Sequence, residues 1–189
     1  GSFTAKNNKS WKSLAIAPIN GEYIIIEYQL PASLSFNNEW KIGKVAHAYR
    51  DIFKQSFQKS YGSSGSCNMN VNCTDGIEWS HEKRATAMII KGNSRICSGT
   101  LVNNTLQDGT PYFLTAYHCG DPTFDVENWI FLFNYESPEC TSEDGPLNQS
   151  ISGSILKSKH EDSDFLLLEL SGTPPLSYHP YYAGWDCSG

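Results

Sequence analysis

The chain has 189 residues, of which 39% are hydrophobic and 18% charged, a globular composition that excludes a disordered chain and fits one domain with some extra material. Its apolar runs, such as Phe165-Leu166-Leu167-Leu168, fall far short of the about 18 residues of a membrane span, so no membrane span is expected. The net charge of −6 is unevenly spread: residues 1–61 carry eight Lys/Arg against four Asp/Glu, and residues 62–189 six against sixteen, an acidic body that argues against nucleic acid as a partner.

In chain order, Gly1-Ser2 reads as a cloning remnant, so the natural N-terminus and any secretion signal are expected upstream. Residues 1–61 form a cysteine-free, basic segment. A strand is predicted at 21–30, after the Asn20-Gly21 turn and before Pro31, and a second at 40–49. A basic segment ahead of an acidic body can dock on it by charge, or the charges can simply solvate two surfaces. Ser60-Tyr61-Gly62-Ser63-Ser64-Gly65-Ser66 is small and polar, as a linker or processing site should be.

From Cys67 the character changes to short apolar runs between turn residues. Strands are predicted at 85–90, 96–102, 112–115, 129–135, 150–158 and 165–170, separated by stretches such as Gly120-Asp121-Pro122 and Gly172-Thr173-Pro174-Pro175. Six short strands without a long amphipathic helix predict an all-β, antiparallel six-stranded barrel over about residues 62–175, preceded by a β-containing N-terminal segment.

All six cysteines (Cys67, Cys73, Cys97, Cys119, Cys140 and Cys187) lie in this second part. No pair has the C-x-x-C spacing of a zinc knuckle, which favours disulfides and an extracellular, secreted protein, while composition leaves the pairing open. A zinc site on His118, Cys119, His160 or His179 has irregular spacing and is disfavoured; no cofactor and no metal are expected.

Three local features bear on chemistry: Cys97-Ser98-Gly99-Thr100-Leu101-Val102; Phe113-Leu114-Thr115-Ala116-Tyr117-His118-Cys119; and Ser163-Asp164-Phe165-Leu166-Leu167-Leu168. Serine hydrolysis of a peptide bond needs a neutral imidazole within reach of the hydroxyl and a carboxylate on the other ring nitrogen. His118, after a strand and beside Cys119, suits the first task. Asp164 suits the second, because it abuts an apolar run that could shield it from water. Glu161 and Asp162 lie in a polar stretch with Lys157, Lys159 and His160 and are expected to be solvated. Each feature alone has a structural explanation, a disulfide histidine or a turn aspartate; their order and the accompanying cysteines carry the weight.

That order resembles the first half of the chymotrypsin-like fold, in which the triad runs His, Asp, Ser along the chain. Gly65-Ser66-Cys67-Asn68, Ser98-Gly99-Thr100-Leu101-Val102-Asn103-Asn104-Thr105, Tyr112 through Gly120, and Ala183-Gly184-Trp185-Asp186 are similar to the bacterial lysyl endopeptidases and their secreted relatives, over about residues 62–186. The resemblance implies a secreted serine endopeptidase, with a possible preference for Lys or another basic residue, acting on protein or peptide substrates. It implies His118 as base and Asp164 as its orienting carboxylate, a pro-segment over 1–61, and disulfides Cys97–Cys119 and Cys73–Cys140. It also implies a partner for Cys67 in a second barrel, whereas Cys187 departs from the family pattern and leaves that bridge open.

Gly62-Ser63-Ser64-Gly65-Ser66 mimics the nucleophile motif but precedes His118, where the family's mature N-terminus begins. After Asp164 only Ser171, Ser177 and Ser188 remain, none in a Gly-x-Ser-Gly context. The chain is therefore expected to stop before the nucleophile, the oxyanion hole and the specificity pocket, and to be inactive alone. The alternative is a non-catalytic, protease-like barrel serving as a binding or adhesion module, against which the presence of both His118 and Asp164 counts. The cluster Tyr178, Tyr181, Tyr182 and Trp185 reads as interdomain packing rather than a sugar platform, and Asn-x-Ser/Thr triplets at Asn8, Asn72, Asn103 and Asn148 mean little in a bacterial protein.

Overall fold

Along residues 165–170, Leu166, Leu168 and Leu170 are buried while Phe165, Leu167 and Glu169 are partly covered, the period of two that marks a strand with one face inward. The same logic runs through the computed structural model, which describes residues 2–19, 21–33, 40–46, 67–92, 94–141, 143 and 145–188, with the backbone alone at 94–96. Among the described residues seven strands form: β1 Thr86–Lys91, β2 Ser94–Val102, β3 Tyr112–Ala116, β4 Ile130–Phe133, β5 Ser150–Ser152, β6 Ser154–His160 and β7 Phe165–Leu170. They make one antiparallel sheet in the order β5-β4-β1-β2-β3-β7-β6.

The ends of that sheet belong to one run of chain. Only Gly153 separates β5 from β6; its N–H donates to the Trp129 carbonyl and its own carbonyl accepts from Ser171. The single predicted strand 150–158 is thus bent at Gly153, whose φ of +82° suits glycine, and pairs with β4 through its first half and β7 through its second. Counted as one strand, β5–β6 makes the sheet the six-stranded antiparallel barrel expected from the sequence.

The interior holds Trp129, Phe113, Phe131, Phe133, Ile89, Leu101, Leu166 and Leu168, each exposed by 1% or less. Phe113 and Phe131 meet edge to face with centroids 5.0 Å apart, and each large apolar side chain so buried contributes about 1.5–3 kcal/mol. Gly99 in β2 is required by this packing: a Cβ there would lie 2.4 Å from the Leu114 carbonyl oxygen and from the Phe113 ring.

Beyond β7, the chain turns back onto the barrel. Ala183 bridges β2 through its N–H to the Leu101 carbonyl and its carbonyl to the Asn103 N–H, both at 2.9 Å. Tyr178 meets Phe133 at 6.2 Å, the Tyr182 hydroxyl donates to the Gly109 carbonyl at 3.1 Å, and Trp185 Nε1 donates to the Asn103 carbonyl at 2.9 Å. These aromatic residues cover the barrel's own wall.

The N-terminal segment differs from expectation. No described residue of 21–33 or 40–46 is in a strand, and Ile24, Ile25 and Ile26 are exposed. A β-prone run is stable only with a ladder partner, and a barrel closed on itself offers no free edge. The remainder of the predicted strand 40–49, the linker 60–66 and the boundary at 61/62 lie outside the described residues. Residues 9–17 do lie against the barrel, where Ala15 and Ala17 pack on Ile90, Ile130 and Leu132. Among the described residues no ion pair joins this segment to the barrel, so apolar contact and hydrogen bonds, rather than charge complementarity, hold it there.

Candidate active site

The register between β3 and β7 places positions 118 and 164 side by side. Ala116 pairs with Phe165, and one step beyond, the Tyr117 N–H donates to the Asp164 carbonyl at 3.0 Å. The chain then leaves β3 through the 3-10 turn Tyr117–Cys119, closed by the Gly120 N–H on the Tyr117 carbonyl. On the other side, residues 161–164 form the tight loop of the β6–β7 hairpin, with the Asp164 N–H on the Glu161 carbonyl at 2.9 Å. Asp164 takes φ +50°, a left-handed conformation that a short polar side chain tolerates.

That loop aims both carboxylate oxygens at His118. Oδ1 accepts from the His118 backbone N–H at 3.0 Å, and Oδ2 lies 2.7 Å from His118 Nδ1, a distance in the range of charge-assisted bonds. The backbone N–H of His118, more than any other contact, holds the Asp164 carboxyl below the ordinary carboxylate range; partial desolvation opposes it, and the His118 ring and the Tyr117 N–H reinforce it. An ionised Asp164 can only accept, so it selects the imidazole tautomer with its proton on Nδ1 and leaves the Nε2 lone pair free. The site is open: the His118 side chain is 70% exposed and that of Asp164 51%. The expected shielding of Asp164 by the apolar run is not met by this chain, because the residue sits in the loop at the barrel rim rather than in β7.

The turn carrying His118 is tied down from below. Cys119 is bonded to Cys97 of β2, and the Thr115 hydroxyl donates to the Ser98 carbonyl at 2.9 Å. A second disulfide joins Cys73 to Cys140, and Cys67 and Cys187 are free and exposed. Cys97, His118 and Cys119 offer ligand atoms within 4.8 Å of one another, the single such group among the described residues. They do not suit a metal, because the two sulfurs are bonded to each other and Nδ1 is engaged by Asp164. His160 pairs instead with Ser163, its Nδ1 3.2 Å from the hydroxyl, so the four zinc candidates do not assemble.

One neighbouring group had no sequence signature. The Lys159 ammonium lies 3.6 Å from the centre of the Phe124 ring and 5.6 Å from that of Tyr117, and the two rings are 5.0 Å apart. Phe124 lies between the Gly120-Asp121-Pro122 separator and the predicted strand 129–135, and only the fold brings β6 over it. Its ring also explains Gly120, where a Cβ would approach it to 2.4 Å. Glu161 is drawn to this group rather than to His118: the Tyr117 phenol is held above its ordinary pKa by desolvation first, then by the charges of Glu161 and Asp121. Asp162 is exposed.

No serine hydroxyl among the described residues is bonded to the His118 ring. Ser171 lies at the far end of β7, its hydroxyl donating to the Ser152 carbonyl and accepting from Lys9, and the Ser188 hydroxyl donates to Asp186.

Comparison with known proteins adds the following. Residues 61–189 match the family described as lysyl endopeptidase, C-terminal domain. The lysyl endopeptidase of Pseudomonas aeruginosa is 27% identical over 183 residues, which is 90% of this chain and 39% of that protein. The venom plasminogen activator Haly-PA of Gloydius brevicauda is 29% identical over 103 residues, 52% of this chain and 36% of that one. The chain thus spans well under half the length of these relatives. Among solved structures, kallikrein-related peptidase 10 aligns over 58% of this chain and 46% of its own at 19% identity, with a TM-score of 0.35. The fold rests on the strand order described above, not on that partial likeness.

Proposed function

The chain belongs to the lysyl endopeptidase family, and from that premise we propose that it supplies the histidine and aspartate of a secreted serine endopeptidase. His118 acts first as general base on a serine hydroxyl and then as general acid toward the leaving amine, while Asp164 holds the ring in the required tautomer and stabilises the imidazolium. The observation that carries this reading is the double contact of Asp164 on His118, one oxygen on the backbone N–H and the other on Nδ1. A structural histidine beside a disulfide needs neither.

The serine comes from a second barrel packed against the rim where His118 and Asp164 lie open, which would supply the shielding that Asp164 lacks here. The oxyanion hole and the pocket that selects Lys or another basic side chain belong to the same second barrel. Residues 1–189 alone accordingly do not hydrolyse peptides. Residues 1–61 serve as a pro-segment or accessory segment, and the disulfides suit an oxidising, extracellular setting.

A serine-directed phosphonylating reagent tests the reading on the full-length protein. The wild type is expected to take up one equivalent and to cleave peptides, and the His118→Ala variant to do neither. A wild type that folds, stays unlabelled and cleaves nothing would instead make the barrel a binding module.

A further inference from the structure

Residues 9–17 run along the barrel, and their contacts are of several kinds. The Lys9 ammonium donates to the Ser171 carbonyl at 3.2 Å and to the Ser171 hydroxyl at 2.8 Å. The Ser13 hydroxyl donates to Asn128 Oδ1 at 3.1 Å. The Trp11 indole rests on the barrel corner at Gly153, where a Cβ would come within 2.8 Å of it. Its Nε1 is buried without a partner, so apolar contact holds the ring in place.

Further along the segment, Ala15 and Ala17 cover the outer face of the sheet. That face is unusually apolar: Ile90 of β1 and Ile130 and Leu132 of β4 are exposed by only 1%, 6% and 0% with the segment in place. β4 is buried on both faces, one by the barrel interior and the other by this cover and its neighbours Met88, Tyr135 and Leu147. Small residues at 15 and 17 let the segment approach a sheet surface closely, whereas the exposed Ile16 between them points away.

We propose that residues 9–17 are a strap that forms part of the barrel's wall, and that they stay bound after the chain is cut between the strap and Cys67. Lys9 of the strap grips Ser171, just after β7, whereas Asp164 lies just before it, so about 20 Å of strand separates that contact from the site. It covers an apolar face without touching His118 or Asp164, and its role is to hold the barrel rather than to plug the site. The strap goes beyond the hydrolase reading and needs none of it.

The test uses the whole chain with a site-specific protease sequence placed between Gly62 and Gly65 and an affinity tag on the N-terminus. After complete cutting, the barrel fragment is expected to co-purify with the tagged fragment at micromolar concentration and to co-elute on size exclusion. The double variant Ala15→Glu/Ala17→Glu, which sets two charges against Ile90 and Leu132, is expected to shorten the half-time of separation at least tenfold, and Lys9→Ala to do so severalfold. A synthetic peptide of residues 2–19 is expected to displace the tagged fragment. Immediate separation of the wild-type pieces would overturn the proposal, as would retention that neither variant weakens, which would place the anchor in residues 20–61. Peptidase activity enters none of these readouts, so loss of the hydrolase reading would leave the result standing.

Discussion

Replacing Asp164 by Asn in the full-length protein changes one atom and separates the two contacts that residue makes. The amide keeps its oxygen, so the bond from the His118 backbone N–H to Oδ1 can persist and the loop 161–164 keeps its shape. The other position becomes an NH₂ group, which cannot accept from Nδ1–H at 2.7 Å. The imidazole must then turn its Nδ1 lone pair toward the amide and move its proton to Nε2, the atom proposed to receive the serine proton. The base is lost while the architecture is kept, and the corresponding Asp-to-Asn change in the worked serine-protease triad lowers kcat about 10⁴-fold. The same factor is expected here, read as kcat on a chromogenic lysyl ester or amide. The thermal midpoint should move little, because both side chains are largely solvated. Glu161→Gln and Asp162→Asn serve as internal controls, each expected to change kcat less than about twofold. A loss below tenfold in Asp164→Asn with the fold intact would show that this carboxylate does not set the tautomer.

Two further outcomes follow from the same contacts. The Asp164 carboxyl, held down chiefly by the His118 backbone N–H, is expected to titrate below the about 3.9 of an unperturbed aspartate in a carbon-13 NMR series. A depressed carboxyl stabilises the fold above its unfolded pKa, and that contribution fades as pH falls through the folded value. Any small melting advantage of wild type over Asp164→Asn should therefore disappear below about pH 4; an advantage that persists undiminished at lower pH would contradict the contact. Mapping without reduction is expected to recover Cys97 and Cys119 as one cross-linked peptide. Their double serine variant should lose about 3 kcal/mol by denaturant titration, the loop-closure effect for a separation of 22 residues, and free thiols at both positions would refute the bridge.

Much of the barrel was legible because its signals are local. Alternation at 165–170 and the apolar runs at 85–90, 96–102 and 112–115 need only a one-sided or two-sided burial, and the observed strands fall within two residues of them. The run 129–135 shortened to Ile130–Phe133 because Asn134 takes a left-handed φ of +53° that ends the strand. The run 21–30 failed for the opposite reason: its residues have high strand propensity, but propensity supplies no partner, and the closed sheet has none to lend.

The sequence by itself determined which residue types stand at the ends of β3 and β7, a histidine braced by a cysteine and an aspartate before an apolar strand, together with the disulfide-rich, acidic body around them. Only the tertiary structure decided that these ends are neighbours. The register that pairs Ala116 with Phe165 closes over 48 intervening residues, β4, β5 and β6 among them, and brings an imidazole and a carboxylate to hydrogen-bonding distance. The tertiary structure likewise settled the strap on β4, the Lys159–Phe124 contact and the open face of the site. Strand pattern and turn chemistry act over a few bonds and can be read along the chain, whereas pairing and packing depend on which distant surfaces fit, a property of the folded chain as a whole.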